Sequence, residues 1–124
     1  MTQHVEGLSH LLLQVTDMQA AEHFYCDLLG MTVRSRETFG GDRPLIVTHQ
    51  GMGITLLPSV PPSTAPTENR NVEHIAFWVT DIDQLAETLR GEGVQIDGPK
   101  PSSYGQSMYA LDPDGNRIEC IERI

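Results

Sequence analysis

The sequence predicts an α+β fold made of two tandem βαβββ modules, and three observations carry the prediction. The stretch "LSHLLLQVTD" at 8–17 returns as "VEHIAFWVTD" at 72–81, 64 positions on. At the same offset Gly51 falls on Gly115 and Ile54 on Ile118, so the repeat spans the opening and closing strands of a unit, the mark of a duplicated module. Each half also runs in one order: a strand, a helix, then three short strands.

In module one, residues 5–58, "LSHLLLQV" reads as a strand. Asp17 caps a helix whose apolar pairs Ala20/Ala21, Phe24/Tyr25 and Leu28/Leu29 recur at spacing four, and Gly30 closes it. The strands "MTVRSRETF", "RPLIVTHQ" and "GITLLP" follow, separated by turn residues. In module two, residues 72–124, "HIAFWV" leads to Asp81, with Gln84 at the N3 position and Ile82, Leu85 and Leu89 as the buried helical stripe. "VQID", "SMYALD" and "RIECIERI" complete it. Between the modules, residues 59–71 are rich in Pro, Ser and Thr and read as a linker, because repeated prolines remove backbone donors. "DGPKPSSYG" at 97–105 reads as a rim loop.

A chain of 124 residues buries one sizeable core, so the modules are expected to form one domain. With 39% apolar and 20% charged residues, it has ordinary globular composition. Its apolar runs fall short of the ~20 residues of a membrane span, and no leader peptide is visible, so a cytoplasmic location is expected. A net charge of −9 repels phosphate backbones and anionic lipids, which argues against nucleic acid and membrane as partners. Cys26 and Cys120 lack CxxC spacing and are expected as free thiols in the core.

Strand side chains alternate between faces, so His10 shares a face with Leu12 and Gln14, and His74 with Ala76 and Trp78. If the modules pair about a pseudo-twofold axis, the two histidines converge. Glu119 lies on the last strand among Ile118, Cys120 and Ile121, where a buried carboxylate is costly unless a cation or strong donors compensate. Two imidazoles and a carboxylate form a facial triad that leaves positions on a divalent metal open. Thr55 stands at the module-one position of Glu119, so three protein ligands are expected rather than four. His4, His23 and His49 read as surface residues.

These residues resemble the vicinal oxygen chelate superfamily, which includes glyoxalase I, extradiol dioxygenases, fosfomycin-resistance enzymes and bleomycin-binding proteins. The resemblance runs from "GLSHLLLQVTDMQAAEHFYCDLLGM" through "NVEHIAFWVTDIDQLAETLRGEGV" to "SMYALDPDGNRIECIE". It implies a cupped mixed sheet with a metal site in its cavity, and often a homodimer. Carried over by position, His10, His74 and Glu119 are the ligands of a divalent metal; Fe(II) or Mn(II) suits the triad best, while Zn(II) and Ni(II) accept the same donors. A small-molecule substrate chelated through two oxygens is the implied partner.

Differences among the subfamilies bear on the reaction. Glyoxalase I enzymes use a carboxylate where Thr55 stands. Extradiol dioxygenases carry Tyr-x-x-Asp-Pro-x-Gly-x-x-x-Glu, matched from Tyr109 to Glu119, which tips the reading toward a dioxygenase; they also place a histidine ahead of that tyrosine, where this chain has "KPSSYGQSM". Fosfomycin-resistance enzymes resemble "SMYALDPDG", with Ser107 and Tyr109 at substrate-holding positions. Their thiol-transferase type needs an arginine beyond the last strand and their hydrolase type an extra glutamate, where only Asp42 is near. Bleomycin-binding relatives have lost the ligands retained here. Tyr109 is the candidate acid or hydrogen-bond donor beside Glu119, and Ser107, Trp78 and Thr55 are candidate substrate contacts.

Overall fold

The computed structural model describes residues 4–5, 8–39, 43–48, 53–59 and 73–124. The chain divides into two units, Met1–Thr64 and Ala65–Ile124, each with its own mixed four-stranded sheet. Apart from Ser59 the expected linker lies outside the described residues, as do Asp42, His49 and Gly51.

Unit one runs β1 (Leu11–Val15), α1 (Met18–Glu22), β2 (Ser35–Phe39), β3 (Arg43–Val47) and β4 (Ile54–Pro58), with sheet order β1-β4-β3-β2. Asp17 caps α1 as expected, its Oδ1 accepting the Ala20 N–H at 3.1 Å. The helix does not continue in α geometry to Leu29, because His23–Leu28 form a π-helical turn. The apolar pairs explain this: a strict spacing of four drifts by about 40° per step on an α-helix, and a wider turn holds the pairs on one face. Phe24 and Tyr25 are thereby both buried, meeting edge-to-face at 4.9 Å, and Gly30 ends the turn at φ +84°.

Unit two runs β5 (Ile75–Trp78), α2 (Ile82–Gly91), β6 (Ile96–Pro101), β7 (Gly105–Leu111) and β8 (Arg117–Arg123), with order β5-β8-β7-β6. Asp81 Oδ1 accepts the Gln84 N–H at 3.2 Å, and Glu122 Oε1 accepts the Ile82 N–H at 2.8 Å, so two carboxylates satisfy donors that the helix start leaves unpaired. The buried stripe of α2 is Ile82, Ala86 and Leu89, with Leu85 only half-buried. It packs on β6, β7 and β8. Fully burying a side chain such as Leu89 contributes about 2 kcal/mol.

The rim loop expected at 97–105 is instead largely strand. β6 extends to Pro101, with a register shift between Asp97 and Lys100. It is the sheet's edge strand, where a proline's missing N–H breaks no ladder. Gly98 permits the bulge, at φ +108° and with Ser107 O 2.8 Å from where a Cβ would stand.

The duplication is visible in the pairing itself. Leu12 faces Thr55 across β1/β4, and Ala76 faces Glu119 across β5/β8, both pairs at the 64-residue offset. The following hairpins differ: Val47 opposes Thr55, but Tyr109 opposes Glu119, an offset of 62. Between these matched positions unit two is therefore two residues longer, with Glu119 ten positions after Tyr109 where Thr55 is eight after Val47. Cys120 is buried and Cys26 half-buried rather than in the core, and both are free.

Candidate functional site

The opening histidines lie one residue ahead of their strands. His10 precedes β1 and is exposed, with its Nδ1 3.0 Å from Ser9 Oγ. His74 precedes β5 and is half-buried. Thr55 is buried in unit one, opposite Leu12.

Unit two gathers the chemistry. Strand alternation puts Glu119 and Arg117 on one face of β8, and register sets Tyr109 on β7 directly across from Glu119. Glu119 is 8% exposed, and its Oε1 lies 3.2 Å from His74 Nε2. The other ring nitrogen, Nδ1, donates to Glu73 Oε1 at 2.6 Å. The second Glu73 oxygen accepts from Arg117 Nη1. These contacts hold the Glu73 carboxyl below its ordinary range, chiefly through the His74 hydrogen bond and then the Arg117 one. Arg117 lies 4.3 Å over the Tyr109 ring, which meets the His74 imidazole edge-on at 5.5 Å.

His74 and Glu119 stand at a separation that two ligands of one divalent cation would have. Bonds of about 2.1 Å at angles between octahedral and tetrahedral separate neighbouring ligands by about 3.0–3.4 Å, and the His74–Glu119 separation of 3.2 Å falls inside that interval. A buried carboxylate facing an imidazole nitrogen whose partner nitrogen is tied to a second carboxylate is also the arrangement that orients metal-binding histidines. Within neither unit do the described residues gather three His, Cys, Asp or Glu side chains as a full set.

The other candidates sit farther along the same sheet. Ser107, buried on β7, pairs with Ile121 and donates its Oγ–H to Ser102 Oγ at 2.8 Å. Trp78 is 55% exposed; Arg123 lies 4.1 Å over its ring and Tyr104 meets it edge-on at 6.5 Å. A groove of about 490 Å³ runs beside it, lined by Trp78, Val79, Thr80, Asp81, Glu122 and Arg123. His4 is exposed, and His23 is exposed and paired with Asp27 at 2.9 Å.

Sequence reasoning passed over Glu73 and Arg117. Both were within reach of it: Glu73 adjoins His74, and Arg117 precedes Glu119 by the two residues that keep strand side chains on one face. The aspartate, proline and glycine of the Tyr109–Glu119 pattern have a different task. Asp112 Oδ1 accepts the N–H groups of Asp114 and Asn116 at 3.0 and 2.7 Å, and Gly115 adopts φ +83°, so these residues build the β7–β8 turn.

The Glyoxalase/Bleomycin resistance protein/Dioxygenase superfamily matches residues 7–120. The chain belongs to that superfamily. Among its curated relatives is the glutathione transferase FosA of Serratia marcescens, 32% identical over 117 residues, which are 93% of this chain and 79% of the relative. The probable lactoylglutathione lyase of Synechocystis is 28% identical, over 93% of this chain and 94% of that protein. The catechol-2,3-dioxygenase of Bacillus subtilis is 26% identical, with 90% of this chain matching 40% of the dioxygenase. The superfamily fold is also that of a glyoxylase/bleomycin resistance protein/dioxygenase domain from Frankia, with a TM-score of 0.81 at 23% identity over 98% of this chain and 94% of that one. Related members are thus a transferase, a lyase and a dioxygenase. No helix among the described residues is long and apolar enough to cross a membrane.

Proposed function

We propose that this chain is a divalent-metal-dependent enzyme of the superfamily, acting on a small oxygenated molecule. The observation that carries the reading is the buried Glu119 carboxylate 3.2 Å from His74 Nε2. Glu119 and His74 would hold the cation, with His10, the repeat counterpart of His74, as the third ligand. A divalent cation supplies Lewis-acid stabilisation of negative charge on substrate oxygens. Tyr109, directly across the sheet from Glu119, donates its phenolic hydrogen to a substrate oxygen or serves as the acid. Ser107 on the same strand, with Trp78 and Thr55, contributes to the substrate pocket. We place the enzyme in the cytoplasm as a homodimer, on the pattern of its superfamily. Fe(II) or Mn(II) suits the imidazole and carboxylate set, ahead of Zn(II) and Ni(II).

Two reactions have specific support. The pattern from Tyr109 to Glu119 favours ring-cleaving dioxygenation, although its middle residues are turn-formers. The 32% identity to a glutathione transferase favours thiol transfer instead. Elemental analysis of protein expressed with ample Fe, Mn, Zn and Ni, followed by turnover of catechols and of epoxide phosphonates with thiols, tests the proposal and separates the two. The wild type is expected to carry bound metal and to lose both metal and turnover on His74→Ala. A wild type that carries none of the four metals refutes the metalloenzyme reading.

A further inference from the structure

Four side chains of unit two close into a ring: His74 donates to Glu73, Glu73 grips Arg117, Arg117 stacks over Tyr109, and Tyr109 meets His74. Each link follows from strand geometry. Glu73 adjoins His74, Arg117 shares the β8 face of Glu119, and Tyr109 is the cross-strand partner of Glu119. With Nδ1 engaged by Glu73, the nitrogen that the imidazole directs toward Glu119 is Nε2.

We propose that Glu73 and Arg117 are positioning residues for His74: Glu73 fixes the ring's rotation and keeps its hydrogen on Nδ1, so that Nε2 presents a lone pair to a cation shared with Glu119, and Arg117 immobilises Glu73. This rests on the metal-site reading above. An imidazole binds a metal through its unprotonated nitrogen, and a carboxylate accepting from the other nitrogen selects that tautomer and increases the ligand's basicity. The Glu73 side chain is 64% exposed, and one adjacent hydrogen bond restrains so free a side chain poorly. Arg117 adds the second restraint, and is itself held by its stacking on Tyr109.

The test uses the full-length chain with two readouts: Co(II) affinity by chelator competition, and the His74 tautomer from ring-nitrogen NMR of the metal-free protein. Glu73→Ala is expected to weaken Co(II) about 10- to 100-fold and to let the His74 hydrogen move from Nδ1 to Nε2, which faces the Glu119 carboxylate. Glu73→Gln, whose amide oxygen still accepts from Nδ1, retains the tautomer and loses less affinity. Arg117→Ala weakens binding in the same direction, and the double variant binds no worse than Glu73→Ala alone, because Arg117 acts through Glu73. If Glu73→Ala leaves either the affinity or the tautomer unchanged, Glu73 does not position His74. Additive losses in the double variant overturn the role given to Arg117. A wild type that fails to bind Co(II) overturns the metal-site reading itself, an outcome distinct from both.

Discussion

Replacing Asp112 by alanine tests whether the β7–β8 connection is built on one carboxylate. The side chain sits in a residue only 5% exposed, between Leu111, the last residue of β7, and the turn that leads to Arg117. Its Oδ1 accepts the backbone N–H groups of Asp114 at 3.0 Å and Asn116 at 2.7 Å, while Oδ2 accepts from Asn116 Nδ2 at 2.7 Å. The backbone bonds of the same turn, Asp112 N–H to Asn116 O at 3.0 Å and Gly115 N–H to Asp112 O at 2.9 Å, do not depend on the side chain. Alanine therefore deletes three side-chain hydrogen bonds, at about 1 kcal/mol net each, and costs about 3 kcal/mol. Asparagine keeps an oxygen for the two backbone donors and loses only the bond to Asn116 Nδ2, for about 1 kcal/mol. At about 3–5 °C per kcal/mol in a chain of this size, the midpoint falls by about 9–15 °C for Asp112→Ala and about 3–5 °C for Asp112→Asn. Thermal unfolding followed by circular dichroism measures both. Midpoints for the two variants within about 2 °C of wild type would refute the assignment of Asp112 as the turn's centre.

Gly105→Ala is expected to destabilise by well over the ~1 kcal/mol of an ordinary glycine exchange: Gly105 adopts φ +145°, and an added Cβ would collide with Glu122 O and stand 3.0 Å from Ile124 N, prising β7 from the end of β8. Urea titration should show it, and a loss below ~0.5 kcal/mol would contradict the geometry. Burial, with a smaller contribution from Glu119, pushes the Cys120 thiol from its ordinary 9.0 up to about 12. The raised folded-state value means that stability from keeping this thiol neutral is complete below pH 9 and is lost as pH climbs toward 12. Cys120→Ala should lack that alkaline loss, so its deficit against wild type narrows between pH 9 and 12; parallel stability profiles for the two proteins would exclude the effect.

What the sequence made legible was whatever depends on local pattern. Strand-forming runs bounded by turn residues pointed to the eight strands seen among the described residues, and the Asp17 and Asp81 caps and the Gly30 stop stand where propensity put them. The misses arise where tertiary packing decides. The π turn at His23–Leu28 answers the need to bury Phe24 and Tyr25 together, which a helical wheel with a fixed period does not express. The strand through Gly98–Pro99 forms because β7 supplies a partner, and turn-like composition says nothing of that. Of the candidates named from residue types, His74, Glu119 and Tyr109 lie together in unit two. Glu73 and Arg117 stayed unnoticed because charged residues at strand ends are usually solvated, and only the placement of side chains closes them into a ring.

The pairing registers also indicate how a duplicated fold comes to place a carboxylate in one unit and a hydroxyl in the other. The parallel strand pairs kept the ancestral offset in both units, so a single position presents Thr55 in one and Glu119 in the other. A threonine hydroxyl buried in a sheet needs only a hydrogen-bond partner, whereas a buried carboxylate needs positive charge nearby. In unit two His74 Nε2 stands 3.2 Å from that carboxylate, and the two-residue shift in the β7–β8 register sets Tyr109, rather than a residue at the 64-residue offset, against it. The turn built by Asp112 and Gly115 fixes this placement. Such a turn motif reports the geometry of the hairpin, which members with different reactions have equal reason to keep. Discrimination among transferase, lyase and dioxygenase must therefore come from side chains other than the turn-formers, and under the function proposed above the candidates on this sheet are Tyr109 and Ser107, which the register sets beside Glu119 and Ile121.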